Sequence, residues 1–238
     1  MRSRLGFPIV LAALLLWPLN PCLAADADTG GIFVDDFQIT NNGITAFFDD
    51  FQDRDIRDWR VIDAQVFGMA GRPPVTCMYI NQHTKTRASA FHSISLNTTG
   101  VVELNAAVWL PPTKDQYKWR TNVICVTDFV LYSGDCQDDV RVGIEMRPKE
   151  TSYRLFLWWD GYEGPQLIIS KIYTESAVLA PERWSLLTLR MDPTAGKMYA
   201  LLDGKQHLTL AYNPRRFRSL RSAAVLTRFG DHRYELQP

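Results

Sequence analysis

The chain has 238 residues, 46% apolar and 22% charged, with 14 Gly, 13 Pro and a formal net charge of zero. These values exclude a disordered tail, a collagen-like fibre and a small disulfide scaffold. With no surplus of Lys or Arg to neutralise phosphates, they also exclude nucleic acid as the main partner.

Residues 1–24 read as a signal peptide. Arg2 and Arg4 form a positive n-region, Ile9–Trp17 is apolar, and Pro18 and Pro21 stop it before the small residues that a signal peptidase requires. The apolar run is too short to span a bilayer, which takes about 20 residues. A lipid anchor on Cys22 is the rival reading, but Leu19–Cys22 lacks the small residues of a bacterial lipobox. The mature protein, residues 25–238, is therefore expected to be one exported domain, periplasmic or secreted, with no membrane span. Loss of Arg2 and Arg4 leaves 24 basic against 26 acidic side chains, and loss of Cys22 leaves Cys77, Cys125 and Cys136. In an oxidising compartment an odd count implies one pair and one leftover thiol. Cys125 and Cys136 are the nearest two and are taken as the disulfide, with Cys77 an alternative partner for either. No CxxC or HxxxH spacing supports a metal site instead.

Along the chain, short alternating segments separated by turn signals predict an all-β fold. Val101–Leu110 reads as a strand stopped by Pro111-Pro112, and Val140–Arg147 as another, ended by Pro148. Tyr153–Trp159 follows. Asp160-Gly161 and Gly164-Pro165 then offer turn chemistry before Gln166–Tyr173 returns. Trp184–Met191, a turn at Asp192–Gly196 and Lys197–Leu202 come next. Asp203-Gly204 predicts a type I′ hairpin into Gln206–Leu210, because both central residues need positive φ. Only Arg215–Ala224 has spacing that suits a short helix.

Phe48-Asp-Asp-Phe51 with Asp58-Trp59 resembles the opening strand of concanavalin A-like lectin/glucanase domains, and Trp184, Asp192–Gly196 and Leu202-Asp-Gly204 resemble their late hairpin, laminin-G-like modules included. The similarity is one of pattern and covers roughly residues 32–236. It implies a jelly-roll sandwich of two antiparallel sheets, one of them concave and often carrying a glycan site.

Side chains two apart on a strand share a face. Val142, Ile144 and Met146 thus form a core row, with Arg141, Gly143, Glu145 and Arg147 opposite. Val102, Leu104, Ala106 and Val108 form another, with Glu103, Asn105, Ala107 and Trp109 opposite. If both strands belong to the concave sheet, Glu103, Asn105, Trp109, Arg141, Glu145 and Arg147 line one groove. An aromatic plate beside amide, carboxylate and guanidinium groups suits a sugar; the competing reading is a solvated outer face. A second candidate is the segment Trp158–Gly164, where Trp158 and Tyr162 offer rings while Asp160 and Glu163 accept hydroxyl hydrogen bonds, against the reading of core aromatics and ordinary turn acids. Tyr117, Trp119 and Arg120 make a smaller cluster of the same kind.

Retaining hydrolysis needs two carboxyl groups about 5 Å apart. Hydrolases that this pattern resembles place them as Glu-x-Asp-x-(x)-Glu, which is absent here, as are the Arg-Thr-Glu-Leu-Arg and Gln-Ile-His patterns of the lyases. A binding module is the expectation, with a glycan as the main partner. The alternatives are a protein-interaction module of the cell envelope and a divergent glycoside hydrolase or polysaccharide lyase. No cofactor is expected. A structural calcium stays open at Asp35-Asp36, Asp49-Asp50 or Asp138-Asp139, because domains that this chain resembles often hold one near the opening strand, and calcium takes six to eight oxygens.

Overall fold

The computed structural model describes residues 30–53, 55–62, 66–72, 75–82, 87–110, 119–130, 136–163 and 166–230, and the expected leader lies outside them. The described residues form antiparallel strands in two sheets, with no helix among them. One sheet has eight strands in the spatial order β14 (Lys205–Ala211), β13 (Lys197–Leu202), β12 (Trp184–Asp192), β7 (Val102–Trp109), β1 (Gly30–Asn41), β5 (Val75–Gln82) and β4 (Val66–Arg72), with β2 (Ile44–Asp49) also paired to β1. The other has seven: β11 (Gln166–Tyr173), β10 (Arg154–Glu163), β9 (Cys136–Met146), β8 (Trp119–Val130), β15 (Ser219–Gly230), β6 (Arg87–Asn97) and β3 (Arg60–Ile62). This is the two-sheet jelly-roll sandwich that the concanavalin A-like resemblance implies.

Alternation places the core. Val102, Leu104, Ala106 and Val108 of β7 and Val140, Val142, Ile144 and Met146 of β9 are buried together between the sheets. Their partners in sequence therefore project from the two outer faces. The hairpin at Asp203-Gly204 has positive φ at both residues, 51° and 76°, as a type I′ turn requires. Asn42-Gly43 repeats this geometry at 52° and 77° and joins β1 to β2. The Phe48–Phe51 motif consequently closes β2 and enters the next turn, while the opening strand is β1.

Two expectations are corrected. Asp160-Gly161 is no turn, because β10 runs on to Glu163 and pairs Asp160 with Ile169 and Gly161 with Ile168. A continuous ladder satisfies the backbone there, so the local turn preference of Asp-Gly is overridden. Arg215–Ala224 is no helix. It holds a turn and the start of β15, whose register shifts between Leu220 and Ser222. That bulge sends Leu220 and Ala223 inward at a spacing of three, which imitates a helical period.

Candidate functional site

β7 and β9 belong to different sheets, so the expected groove is divided between opposite outer faces of the sandwich. Sequence alternation assigns a residue to a face of its own strand and says nothing of which sheet that strand joins.

On the eight-stranded sheet, Asn105 accepts a hydrogen bond from the Thr188 hydroxyl at 2.7 Å, and Glu103 faces Arg190 at 3.7 Å. Both acceptors are half-buried and held by β12. Trp109 is no open plate: it packs edge-on against Phe33 at 5.2 Å within a buried cluster that includes Cys77 and Tyr79.

The seven-stranded sheet gathers the rest. Cross-strand register puts Lys171 of β11, Trp158 of β10, Arg141 of β9 and Cys125 of β8 in one row. The row beside it holds Tyr173, Phe156 and Gly143. The Arg141 guanidinium and the Lys171 ammonium each lie 4.6 Å from the centre of the Trp158 ring, approaching from the strands on either side. Lys171 also lies 4.6 Å from the Phe156 ring and 4.7 Å from that of Tyr173, and Arg147 lies 5.3 Å from Tyr173. Such contacts orient both partners. The faces of Trp158 are occupied by cations, and the expected sugar-stacking plate is replaced by an alternation of ring edges and charged heads.

Gly143 makes the packing possible. A Cβ there would meet Cζ of Phe156 at 2.2 Å, so the ring lies across the glycine backbone and keeps the aromatic row close to the sheet.

Three carboxyl groups pin the cations. Arg141 reaches Asp139 at 2.5 Å and Asp160 at 3.3 Å through the same nitrogen, and the Trp158 indole N–H donates to Asp160 at 3.3 Å. Arg147 Nε and the Tyr173 hydroxyl both donate to Glu145, at 3.2 and 3.1 Å. These acids are sunk although they belong to an outer face: Asp139 is 0% exposed, Glu145 1% and Asp160 8%. Burial pushes the Asp139 carboxyl up to about 7, against the pull of Arg141, with the Asp160 charge adding to the rise.

The site therefore brings together Arg141, Glu145, Arg147, Trp158 and Asp160 of the predicted residues. The side chains of Tyr162 and Glu163 lie outside the described residues. Of the smaller cluster, Tyr117 and the Trp119 side chain also lie outside, and Arg120 is buried beside Tyr153 in the interior. Alternation also places Asp139, two residues before Arg141, and Phe156, two before Trp158, on this face, although neither is among the predicted site residues; it does not point to Lys171 or Tyr173. The signal for the last two is the β10–β11 hairpin pairing, which carries Lys171 and Tyr173 onto the face of Trp158.

The Cys125–Cys136 disulfide is contradicted. Cys125 pairs with Arg141 and Cys136 with Val130, five positions apart on one ladder. That is roughly 16 Å of strand, whereas bridged Cα atoms lie at most about 7 Å apart. Cys77 and Cys125 are both buried thiols.

Two of the three acidic pairs serve local structure, and the Asp138 side chain of the third lies outside the described residues. Asp49 accepts from the Phe51 amide and the Trp59 indole, Asp50 from the Gln52 amide, and Asp35 from the Asp36 amide. Asp49 and Asp50, with Asp53, Asp55, Asp58 and His92, border a hollow of about 300 Å³. No three His, Cys, Asp or Glu side chains among the described residues are grouped to hold a metal ion. No helix among them is long and apolar enough to cross a membrane.

No protein-family model and no curated protein sequence matches the chain. Among solved structures it is similar to the carbohydrate recognition domain of Emp47p, at 11% identity over 73% of this chain and 81% of that one, with a TM-score of 0.48. It is also similar to LamAcat from Zobellia galactanivorans, at 12% identity over 84% and 82%, with a TM-score of 0.44. The carbohydrate-binding module CBM66 from Bacillus subtilis is a third, at 7% over 73% and 92%, with a TM-score of 0.36. At such identities the site can be read only from this chain's own geometry.

Proposed function

We propose that this protein is an exported, non-catalytic glycan-binding module whose site is the outer face of β9, β10 and β11. The observation that carries this reading is the depth of the charged network on that face. Charges on a merely solvated sheet face stay hydrated, and their pairs contribute little. Here Asp139, Glu145 and Asp160 are buried around Arg141 and Arg147. Burying charges is costly and is sustained only by dense pairing, and the pairing fixes a set of donors on rigid strands. Lys171, Arg141 and Arg147 supply N–H groups, and the rings between them supply apolar edges. A polyol with acceptor oxygens and C–H faces matches that alternation, and rigid donors lose little freedom on binding.

A second reading, hydrolysis, is favoured by one observation. A carboxyl raised to about 7 suits a general acid, and Asp160 shares its arginine. Against it, Arg141 sits between the two carboxyl groups, where a glycosidic oxygen would have to lie, and Asp139 has no exposed surface.

A glycan array probed with the folded protein, with and without calcium, separates these readings. Binding without product release, lost in Lys171→Ala, is the expected outcome. A blank array overturns glycan binding and moves the assignment to a protein partner. Product release abolished by Asp139→Asn overturns the non-catalytic part.

A further inference from the structure

β11 is the last strand of the seven-stranded sheet among the described residues. Its stretch Gln166-Leu-Ile-Ile-Ser170 has no charge and no proline, and Leu167 and Ile169 stand 46% and 48% exposed on its outer side. Natural edge strands are blunted by charge, proline or a bulge, because their unpaired N–H and C=O groups template another strand. The facing edge obeys that rule: β14 exposes Lys205, Gln206 and Thr209, and its pairing with β13 is broken by a register shift. β11 has none of these devices before Lys171.

We infer that β11 is a self-docking edge on which a second copy of this chain lays its own β11, antiparallel, about a two-fold axis through Ile168. A two-fold axis perpendicular to the sheet keeps outward side chains outward, so the residue on the axis must face itself. With Ile168 on the axis, Leu167 faces Ile169 of the second copy, and this contact occurs twice. Gln166 faces Ser170 of the second copy, amide against hydroxyl, and the two Ile168 side chains meet on the inner side. Within Gln166–Ser170 apolar meets apolar and polar meets polar at each of the five positions, and Lys171 falls beyond the paired segment. Placing Ile169 on the axis would set Leu167 against the Lys171 ammonium instead. The segment is thus self-complementary in one register, which is why a second copy, rather than an unrelated strand, is its occupant.

The result is one continuous sheet with two copies of the Trp158 row on the same face. That row crosses β11 at Lys171, three residues past Ile168. Strand spacing and rise then put the two Trp158 side chains about 14 Å apart across the strands and about 20 Å along them. A glycan chain of several residues reaches both, which raises avidity without any new contact. This last consequence rests on the glycan-binding reading; the pairing itself does not.

Sedimentation of the purified chain from about 5 to about 500 µM tests the pairing, since a lone edge contact falls at the small, weak end of interfaces. A reversible monomer–dimer equilibrium is expected. Leu167→Glu or Ile169→Lys, each at an exposed position, weakens it at least tenfold. The double variant restores it to within a few-fold, because each introduced carboxylate then faces the introduced ammonium of the second copy. A chain that stays monomeric throughout overturns the proposal and leaves the edge to an extended peptide. So does a dimer that neither single substitution moves, and a double variant that stays monomeric overturns the Ile168 register. Monomeric variants that still bind a monovalent glycan separate failure of the pairing from failure of the binding site.

Discussion

The two outer faces of this sandwich come from strands of nearly the same alternating pattern, yet they differ in kind. On the eight-stranded sheet, Glu103 and Arg190 meet loosely at 3.7 Å, both partly open to solvent, and the aromatics withdraw into a packed cluster around Phe33. On the seven-stranded sheet, charges are buried and shared, and rings and cations alternate across three strands. Pattern within a strand decides inward from outward. The neighbouring strands decide whether an outward charge meets water or a partner.

Four substitutions break or sharpen that contrast. The largest effect is expected for Phe156→Ala, whose ring is 1% exposed although it belongs to the outer face. Its removal should cost about 3–5 kcal/mol, read from denaturant unfolding. Arg141→Met comes next, at about 3 kcal/mol at pH 8, because two buried carboxylates lose their partner. The loss should be smaller at pH 5, where Asp139 is protonated, and denaturant curves at the two values test this. Gly143→Ala should cost about 1–3 kcal/mol, since the new methyl and the Phe156 ring cannot share one place. Glu103→Ala on the other face should stay within about 0.5 kcal/mol. Equal losses from Arg141→Met and Glu103→Ala would abolish the distinction between the faces.

The pH dependence has a definite sign. The Asp139 carboxyl is raised from 3.8 to about 7, so between those values the folded protein holds a proton that the unfolded chain has released. Its contribution to stability is therefore full on the acid side and falls as pH rises through about 7. Asp35, raised by burial to about 6, acts in the same direction over a narrower window. Thermal melts of the wild type and Asp139→Asn from pH 4 to 8 should converge in slope except for this contribution, with the variant the flatter of the two.

Much of the second half of the fold was legible because β9, β12 and β13 end at strong signals: Pro148, Asp192–Gly196 and Asp203-Gly204. The first half was less so. Asn42-Gly43 is as clear a hairpin signal as Asp203-Gly204, but β1 carries a bulge between Asp35 and Gln38, with Asp36 at φ 47°, and its alternation is lost there. The Leu220 bulge disguised β15 in the same way. Of the site, Arg141, Glu145 and Arg147 were legible from period two, and Trp158 and Asp160 from the clustering of rings and acids in Trp158–Gly164. Lys171, Tyr173 and the burial of Asp139 were not, since they depend on which strands become neighbours. The proposed groove and the Cys125–Cys136 bridge failed for that same reason: both required knowledge of register.

The most direct test is a titration of an array-identified glycan into the wild type, Lys171→Ala and Asn105→Ala. A loss of at least tenfold in affinity for Lys171→Ala, with Asn105→Ala within twofold of wild type, is the predicted result. The reverse ranking would place binding on the eight-stranded sheet and contradict the assignment of the site to β9, β10 and β11.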